Sequence, residues 1–382
     1  TGMIREKAQE FFQGRNSFTQ ADLTVWNNKL QHKILMDMDL TDAQEVAFAE
    51  YKSQSFIISL IPKTLVSLLE PFVPQIQAIK GMRENLLDMY QEALDRDTRG
   101  LIQRFTDSRD KKFVADLFLT ALTSAGGLSV PTLMGIGFAI LTGAEAYGSA
   151  VLPNWQDFEL SNSNVEQFVL ECVRRFPAVV GFPWWDGETA ESRTVMNIAM
   201  ALRDPRAWDS PKQFTLRPLS EYHETVETGT KIGLAWAEQA KGAHGLTRDS
   251  RGCPGQHLSV VIMSEMMRAY VSSQHEWTVA GGDGAVQITE GPCMAVDYTL
   301  VRNGATAEPA PESPSIASVM ATQDPAVLQT VLEGLISQMP QEWLAVLPVD
   351  IHEILAAVFA FASGQPVPPE ALQALEALQA LH

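Results

Sequence analysis

Along most of the chain apolar residues recur at helical spacing. Residues 3–105 read as successive amphipathic helices with breaks at Pro62, Pro71 and Pro74. Thr41, with Gln44 three residues on, has the pattern of a capping box and predicts a fresh helix start. Residues 106–148 predict a long buried helix or a bent pair. The stretch "NSNVEQFVLECVRRFP" predicts a helix capped by Asn162 or Ser163 and stopped before Pro177. From Pro177 to Trp236 the pattern turns irregular. Residues 254–272 then put Leu258, Ile262, Met266 and Ala269 on one helix face. Residues 276–303 alternate around "TEGP", the signature of a β-hairpin. "GATAEPAPESPS", residues 304–315, reads as a Pro/Ala/Ser linker. Residues 316–382 form a helical extension whose stripe, Leu328, Val331, Leu332 and Leu335, needs a partner surface, either its own domain or a sister subunit.

Composition narrows the classes. The 382 residues are 46% hydrophobic and 19% charged, enough to bury a sizeable core. Forty-six acidic against 28 basic side chains give a formal net charge of -18, which argues against nucleic acid or an anionic membrane as partner. The most apolar stretch, Phe113 to Leu141, carries Thr120, Ser124, Gly126, Gly127 and Pro131, so it reads as a buried helix and not a membrane span. The opening "TGMIREKAQEFF" is charged and amphipathic, unlike a signal peptide. The three cysteines, Cys172, Cys253 and Cys293, support neither a disulfide framework nor a tetrahedral zinc site. A reducing, cytoplasmic setting is the expectation.

One cysteine sits in a distinctive setting, "SRGCPGQHLSV" (250–260). Pro254 suits the first helical position, and Gly255 lets backbone pass close to a flat ligand. Cys253 then lies at a helix entrance, where free amides favour a thiolate. Arg251, two residues earlier, is placed to meet an anionic group of the same ligand. A thiolate with a nearby arginine suits an iron porphyrin carrying propionates. An inert turn cysteine explains the same stretch equally well. Three further features weigh in: Glu171 and Arg174 at i, i+3; "LRDPRAWDSPKQFTLRPL" (202–219), which contains Arg217; and "AGGLS" (125–129) in the long apolar helix.

In this order the set resembles the cytochrome P450 superfamily over roughly residues 50–303. The resemblance implies a mainly α fold with small β-elements, a domain over 3–303, haem b as cofactor, and Cys253 as axial iron ligand. It implies that Ala125, Gly126 and Ser129 cross the haem, that Gly255 shapes the cysteine loop, and that Glu171, Arg174 and Arg217 form a structural cluster. "AVVGFPWW" would run past the haem, with Val180, Phe182 and Trp184 as substrate contacts. The implied partners are a small lipophilic or aromatic substrate and a redox partner, with a homo-oligomer through the tail as a further option.

The departures are specific. The cysteine loop holds Leu246, Thr247 and Asp249 where the family has phenylalanine and two glycines. The family's acid is Leu128 and its threonine Ser129, so non-standard oxygen activation is expected. The amino-terminal side is short. The long helix is also similar to the hydroperoxide-rearranging branch, the allene oxide synthases and hydroperoxide lyases, although Thr123 stands where that branch has asparagine. Monooxygenation or oxidative coupling leads. Hydroperoxide rearrangement, peroxide-driven oxidation and a non-catalytic haem-binding or interaction role are the alternatives.

Overall fold

The computed structural model describes residues 1–59, 74–96, 100, 110–123, 126–148, 152–153, 159–179, 181–184, 194–226, 229–236, 253, 255–273, 277–280, 285–289, 295–303, 369–370 and 373. Its helices, in chain order, are α1 Gly2–Phe12, α2 Gln20–Met36, α3 Asp42–Ser59, α4 Pro74–Asp95, α5 Lys111–Thr123, α6 Gly126–Leu141, α7 Val165–Arg175, α8 Ile198–Ala201, α9 Leu219–Tyr222 and α10 Gln256–Ser272. The strands are β1 Ser17–Thr19, β2 Glu145–Gly148, β3 Gly181–Trp184, β4 Thr194–Asn197, β5 Thr225–Val226, β6 Gly229–Thr230, β7 Trp277–Val279, β8 Ala285–Thr289, β9 Ala295–Asp297 and β10 Thr299–Arg302. The chain forms two compact units, one from residues 1–31 with the described residues from 126 to 303, the other from residues 32–123. The proposed linker and nearly all of the carboxyl-terminal extension lie outside the described residues.

The second unit is a helical bundle. The capping box forms as the sequence predicts. Thr41 N–H donates to Gln44 Oε1 at 3.0 Å, and Gln44 N–H donates to Thr41 Oγ1 at 3.3 Å, which starts α3. Pro74 opens α4, where its missing N–H costs no helical bond. Helix α4 packs on α3 and α5 around Phe48, Leu86, Leu87, Tyr90, Phe118 and Leu122. Two polar groups are sealed inside. His32 Nε2 lies 2.6 Å from Tyr90 Oη, and Lys52 is buried one helical turn beyond Phe48.

In the first unit α10 is central and packs against α1, α6 and α7. Its buried face holds Ile262, Met263, Met266, Met267 and Ala269, wider than the predicted stripe because three helices cover it. An aromatic cluster ties the amino-terminal elements in: Phe18 lies 5.6 Å from Phe138 and 5.0 Å from Trp277, and Phe138 lies 5.0 Å from Tyr270. Helix α6 passes close to its neighbours at two glycines. A Cβ on Gly137 would stand 2.7 Å from Met267 Cε, and one on Gly135 would stand 2.2 Å from Gln20 Oε1. Helix α6 ends in a Schellman motif. Gly143, at φ 70°, takes the left-handed position, and Ala144 N–H reaches back to Ala139 O at 3.1 Å.

Three expectations need correction. The amino-terminal stretch is not all helix: β1 pairs antiparallel with β10, Phe18 opposite Leu300. Residues 276–303 are not one hairpin. β8 and β9 pair antiparallel, with β2 parallel to β8, whereas β7 and β10 join β1 in a separate sheet. Helix α7 is not capped by Asn162 or Ser163. Both lie in the turn before it, and Asn164 takes the position, its Oδ1 accepting the Ser161 N–H at 2.8 Å. The apolar stretch expected as one long helix or a bent pair is two helices, α5 and α6, with Pro131 inside α6.

Candidate functional site

Helix α7 places Glu171 and Arg174 on one face, both fully buried. Burying one charge alone would be costly, so the partners decide whether this arrangement holds. Arg174 commits all of its donors. Nε and Nη2 bind Glu171 at 2.8 and 2.6 Å, Nη1 binds the carbonyls of Leu202 (3.2 Å) and Pro211 (2.8 Å), and Nη2 binds Gln213 O at 2.7 Å. Glu171 also accepts the Thr215 N–H at 2.9 Å and the Tyr222 hydroxyl at 2.9 Å. Arg217, 6% exposed, approaches Glu171 to 3.7 Å and donates to Asp209 O at 2.7 Å and Glu221 at 2.9 Å. Trp208 lies beneath, its ring 5.3 Å from the Arg174 guanidinium and 5.7 Å from that of Arg217. Burial, and then the Glu171 charge, push the Tyr222 hydroxyl's pKa up, so it remains a donor.

This cluster leads to the cysteine. Helix α7 packs against a 3₁₀ turn, Ile232–Trp236, whose Ile232, Gly233 and Trp236 are buried. The turn's last carbonyl, Trp236 O, accepts the Cys253 N–H at 2.8 Å. Cys253 O in turn accepts the Gln256 N–H at 3.4 Å, at the start of α10. Gly255 is the N-cap and, having no side chain, supplies no side-chain cap bond. The Cys253 thiol is half-buried and unpaired with any other sulfur. Its Sγ lies 3.8 Å from where a Gly255 Cβ would stand, so glycine leaves bare backbone beside the sulfur.

Cys172 is the contrasting case. It is buried on α7, and burial together with Glu171 pushes its thiol's pKa well up, which leaves it inert. Among the described residues no three His, Cys, Asp or Glu side chains converge on a metal position. A thiol at a helix entrance suits a metal group that brings its own donors, as a porphyrin does. On that chemistry the residues fit haem.

The remaining predicted residues fall as follows. Gly126 opens α6, and Ser129 lies one turn on, half-buried. Thr123 ends α5 in the second unit, its hydroxyl donating to Leu119 O at 2.7 Å. Phe182 and Trp184 lie on β3, opposite Met196 and Thr194 of β4. Ala125, Arg251, Val180 and Cys293 lie outside the described residues, as do Leu246, Thr247 and Asp249 of the cysteine loop. The structure thus brings Glu171, Arg174 and Arg217 together, and α7 packs on the 3₁₀ turn whose last carbonyl holds the Cys253 N–H. Sequence reasoning missed Trp208, Tyr222 and Trp236. Trp208 had a signal, since it closes "RDPRAW". Trp236 had none, because it acts through its backbone.

No helix among the described residues is long and apolar enough to cross a membrane. No family model matches the sequence, and no curated protein matches it. Solved structures do match. A mutant of P450 EryK in complex with erythromycin B aligns at TM-score 0.54 and 16% identity, over 81% of this chain and 76% of that one. CYP109E1 from Bacillus megaterium in complex with testosterone aligns at 0.54 and 12%, over 79% and 78%. P450BioI in complex with hexadec-9Z-enoic acid ligated acyl carrier protein aligns at 0.53 and 12%, over 78% and 73%. Over about four fifths of its length this chain has the fold of these cytochrome P450 structures.

Proposed function

We propose that the chain holds haem b through the sulfur of Cys253 and carries out oxidative chemistry on a small lipophilic or aromatic molecule. The observation that carries this reading is the half-buried Cys253, its backbone N–H held by Trp236 O at the entrance of α10 within a P450 fold. Bound there, haem supplies a redox-active iron. Cys253 would hold its iron through sulfur, and Gly255 leaves bare backbone beside that sulfur. Glu171, Arg174 and Arg217 act structurally: they fix the segment from Leu202 to Arg217 and the packing of α7, which bears on the 3₁₀ turn that positions the cysteine. Arg251 is assigned to a propionate. Ser129 is assigned to hold a water or a proton at its Oγ.

The reaction class follows from residue 128. Leucine there relays no proton, so peroxide-driven oxidation or hydroperoxide rearrangement is favoured over reductase-driven hydroxylation. The matched structures bear erythromycin B, testosterone and a sixteen-carbon unsaturated fatty acid, which supports a lipophilic substrate class here.

The test is spectroscopic. The reduced carbon monoxide complex of the haem-loaded protein is expected to show the red-shifted Soret band of thiolate ligation. Cys253→Ala abolishes that band, and Cys293→Ala keeps it. A histidine-type spectrum, or no haem uptake by the folded protein, overturns the proposal.

A further inference from the structure

A cavity of about 330 Å³ opens at the far end of α10, lined by Arg5, Gln9, Asn162, Arg268, Ala269 and Ser272. Arg268 is twelve residues beyond Gln256, about 18 Å along the helix axis from the cysteine end. The cavity is therefore distinct from the proposed haem site. Its volume is at the small end of ligand pockets, the size for a compact molecule.

Its chemistry is organised around Glu265, a carboxylate whose side chain is 2% exposed. Arg5 binds it with Nε at 2.8 Å and Nη2 at 3.3 Å, and Arg268 binds it with Nη1 at 2.8 Å. Burial alone would raise the Glu265 pKa. The two arginines outweigh it and hold the group below its ordinary value, so it stays ionised. Two guanidiniums on one carboxylate leave one net positive charge, in a chain whose overall balance is -18.

The donors make the contrast with Arg174. A guanidinium has five N–H groups. Arg174 commits all of them to Glu171 and three carbonyls. Arg5 commits two and Arg268 one, in every case to Glu265. Both arginines line the cavity together with Gln9, Asn162 and Ser272. Glu265 fixes the two guanidiniums from behind, and that preorganisation removes part of the entropy cost of binding.

We propose that this cavity is a binding site for a small oxyanion, a phosphate or carboxylate group carried on a compact molecule, gripped by Arg5 and Arg268 and oriented by Asn162 and Ser272. Charge-assisted bonds to forked donors are the strongest available for such groups.

Calorimetric titration of the full chain with inorganic phosphate and, separately, with citrate tests this. At least one is expected to bind saturably at one site per chain, and the preferred anion separates phosphate from carboxylate chemistry. Arg268→Gln should weaken binding about tenfold or more. Because that change also removes a partner of buried Glu265, the double variant Asn162→Ala/Ser272→Ala serves as the second arm. Both residues are exposed, and the double variant should lose about fivefold. Cys253→Ala should bind the anion as the parent does. The proposal is overturned if neither anion binds saturably, or if binding is the same in the parent, the arginine variant and the double variant.

Discussion

Tyr222 donates its hydroxyl to Oε2 of Glu171 at 2.9 Å, the same oxygen that Arg174 Nε holds at 2.8 Å. The tyrosine is thus part of the charge cluster, although it lies 51 positions away in sequence. Tyr222→Phe removes one neutral donor to a carboxylate that keeps both arginines, so a loss of about 1–2 kcal/mol in folding stability is expected. Glu171→Ala leaves two buried guanidiniums facing each other and should cost about 3–5 kcal/mol. Thermal melts of the two variants should rank in that order. Equal losses would mean that the tyrosine, and not the carboxylate, organises the site.

The two crowded glycines of α6 should respond differently. At Gly137 the nearest atom to an added methyl is the Cε of Met267, the free end of a flexible chain. Its adjustment roughly offsets the gain of about 1 kcal/mol that alanine brings to a helix interior, so Gly137→Ala should be near neutral. At Gly135 the methyl meets Gln20 Oε1 and, at 2.8 Å, the β-branched Val296. Overpacking there should cost about 1–3 kcal/mol. Denaturant midpoints measure both, and a Gly137 variant weaker than the Gly135 variant would contradict this.

Lys52 sets a pH dependence. Burial pushes its amine down to about 7, against the opposing pull of Glu45. In the folded chain it is neutral above that point, whereas in the unfolded chain it stays protonated to its ordinary value of about 10.4. Between the two the unfolded state binds the extra proton, so stability rises with pH across this window and is flat below it. Lys52→Met should be more stable than the parent at pH 7, and the gap should narrow by pH 9.5. Comparing the pair at each pH cancels the buried tyrosines, and a gap that stays constant refutes the assignment.

Residue 128 is open to direct repair. Leu128→Asp should raise the fraction of reductase electrons recovered as product, while peroxide-driven turnover falls or holds. If the parent already couples reductase electrons efficiently, proton delivery runs by another route and the peroxide reading fails.

What was legible in the sequence had local causes. The Thr41–Gln44 box is closed within four residues, and both of its bonds form. Glu171 and Arg174 share a turn of helix, and their apolar neighbours marked them as buried. What was illegible depended on distance or on backbone. β1 is three residues long, and its partner, Leu300 opposite Phe18, arrives more than two hundred residues later. Three consecutive polar residues, Asn162, Ser163 and Asn164, are all capable caps, and local propensity does not choose among them. Asn164 takes the position, with its side chain turned back to the Ser161 N–H and to Glu159 O, at 2.6 Å, and not to the helix amides. The cysteine's anchor is the carbonyl of Trp236, a group every residue possesses.

That point extends to Arg174. Its guanidinium grips Leu202, Pro211 and Gln213 only by their carbonyl oxygens. A clamp that reads main chain is blind to side-chain identity, so the loop it holds is free to drift in sequence while keeping its path. Random substitution across 209–216 should accordingly be tolerated far better than any change at Arg174. A path held by its carbonyls can keep its shape while its spelling changes, in a chain that is 12–16% identical to the structures whose fold it shares.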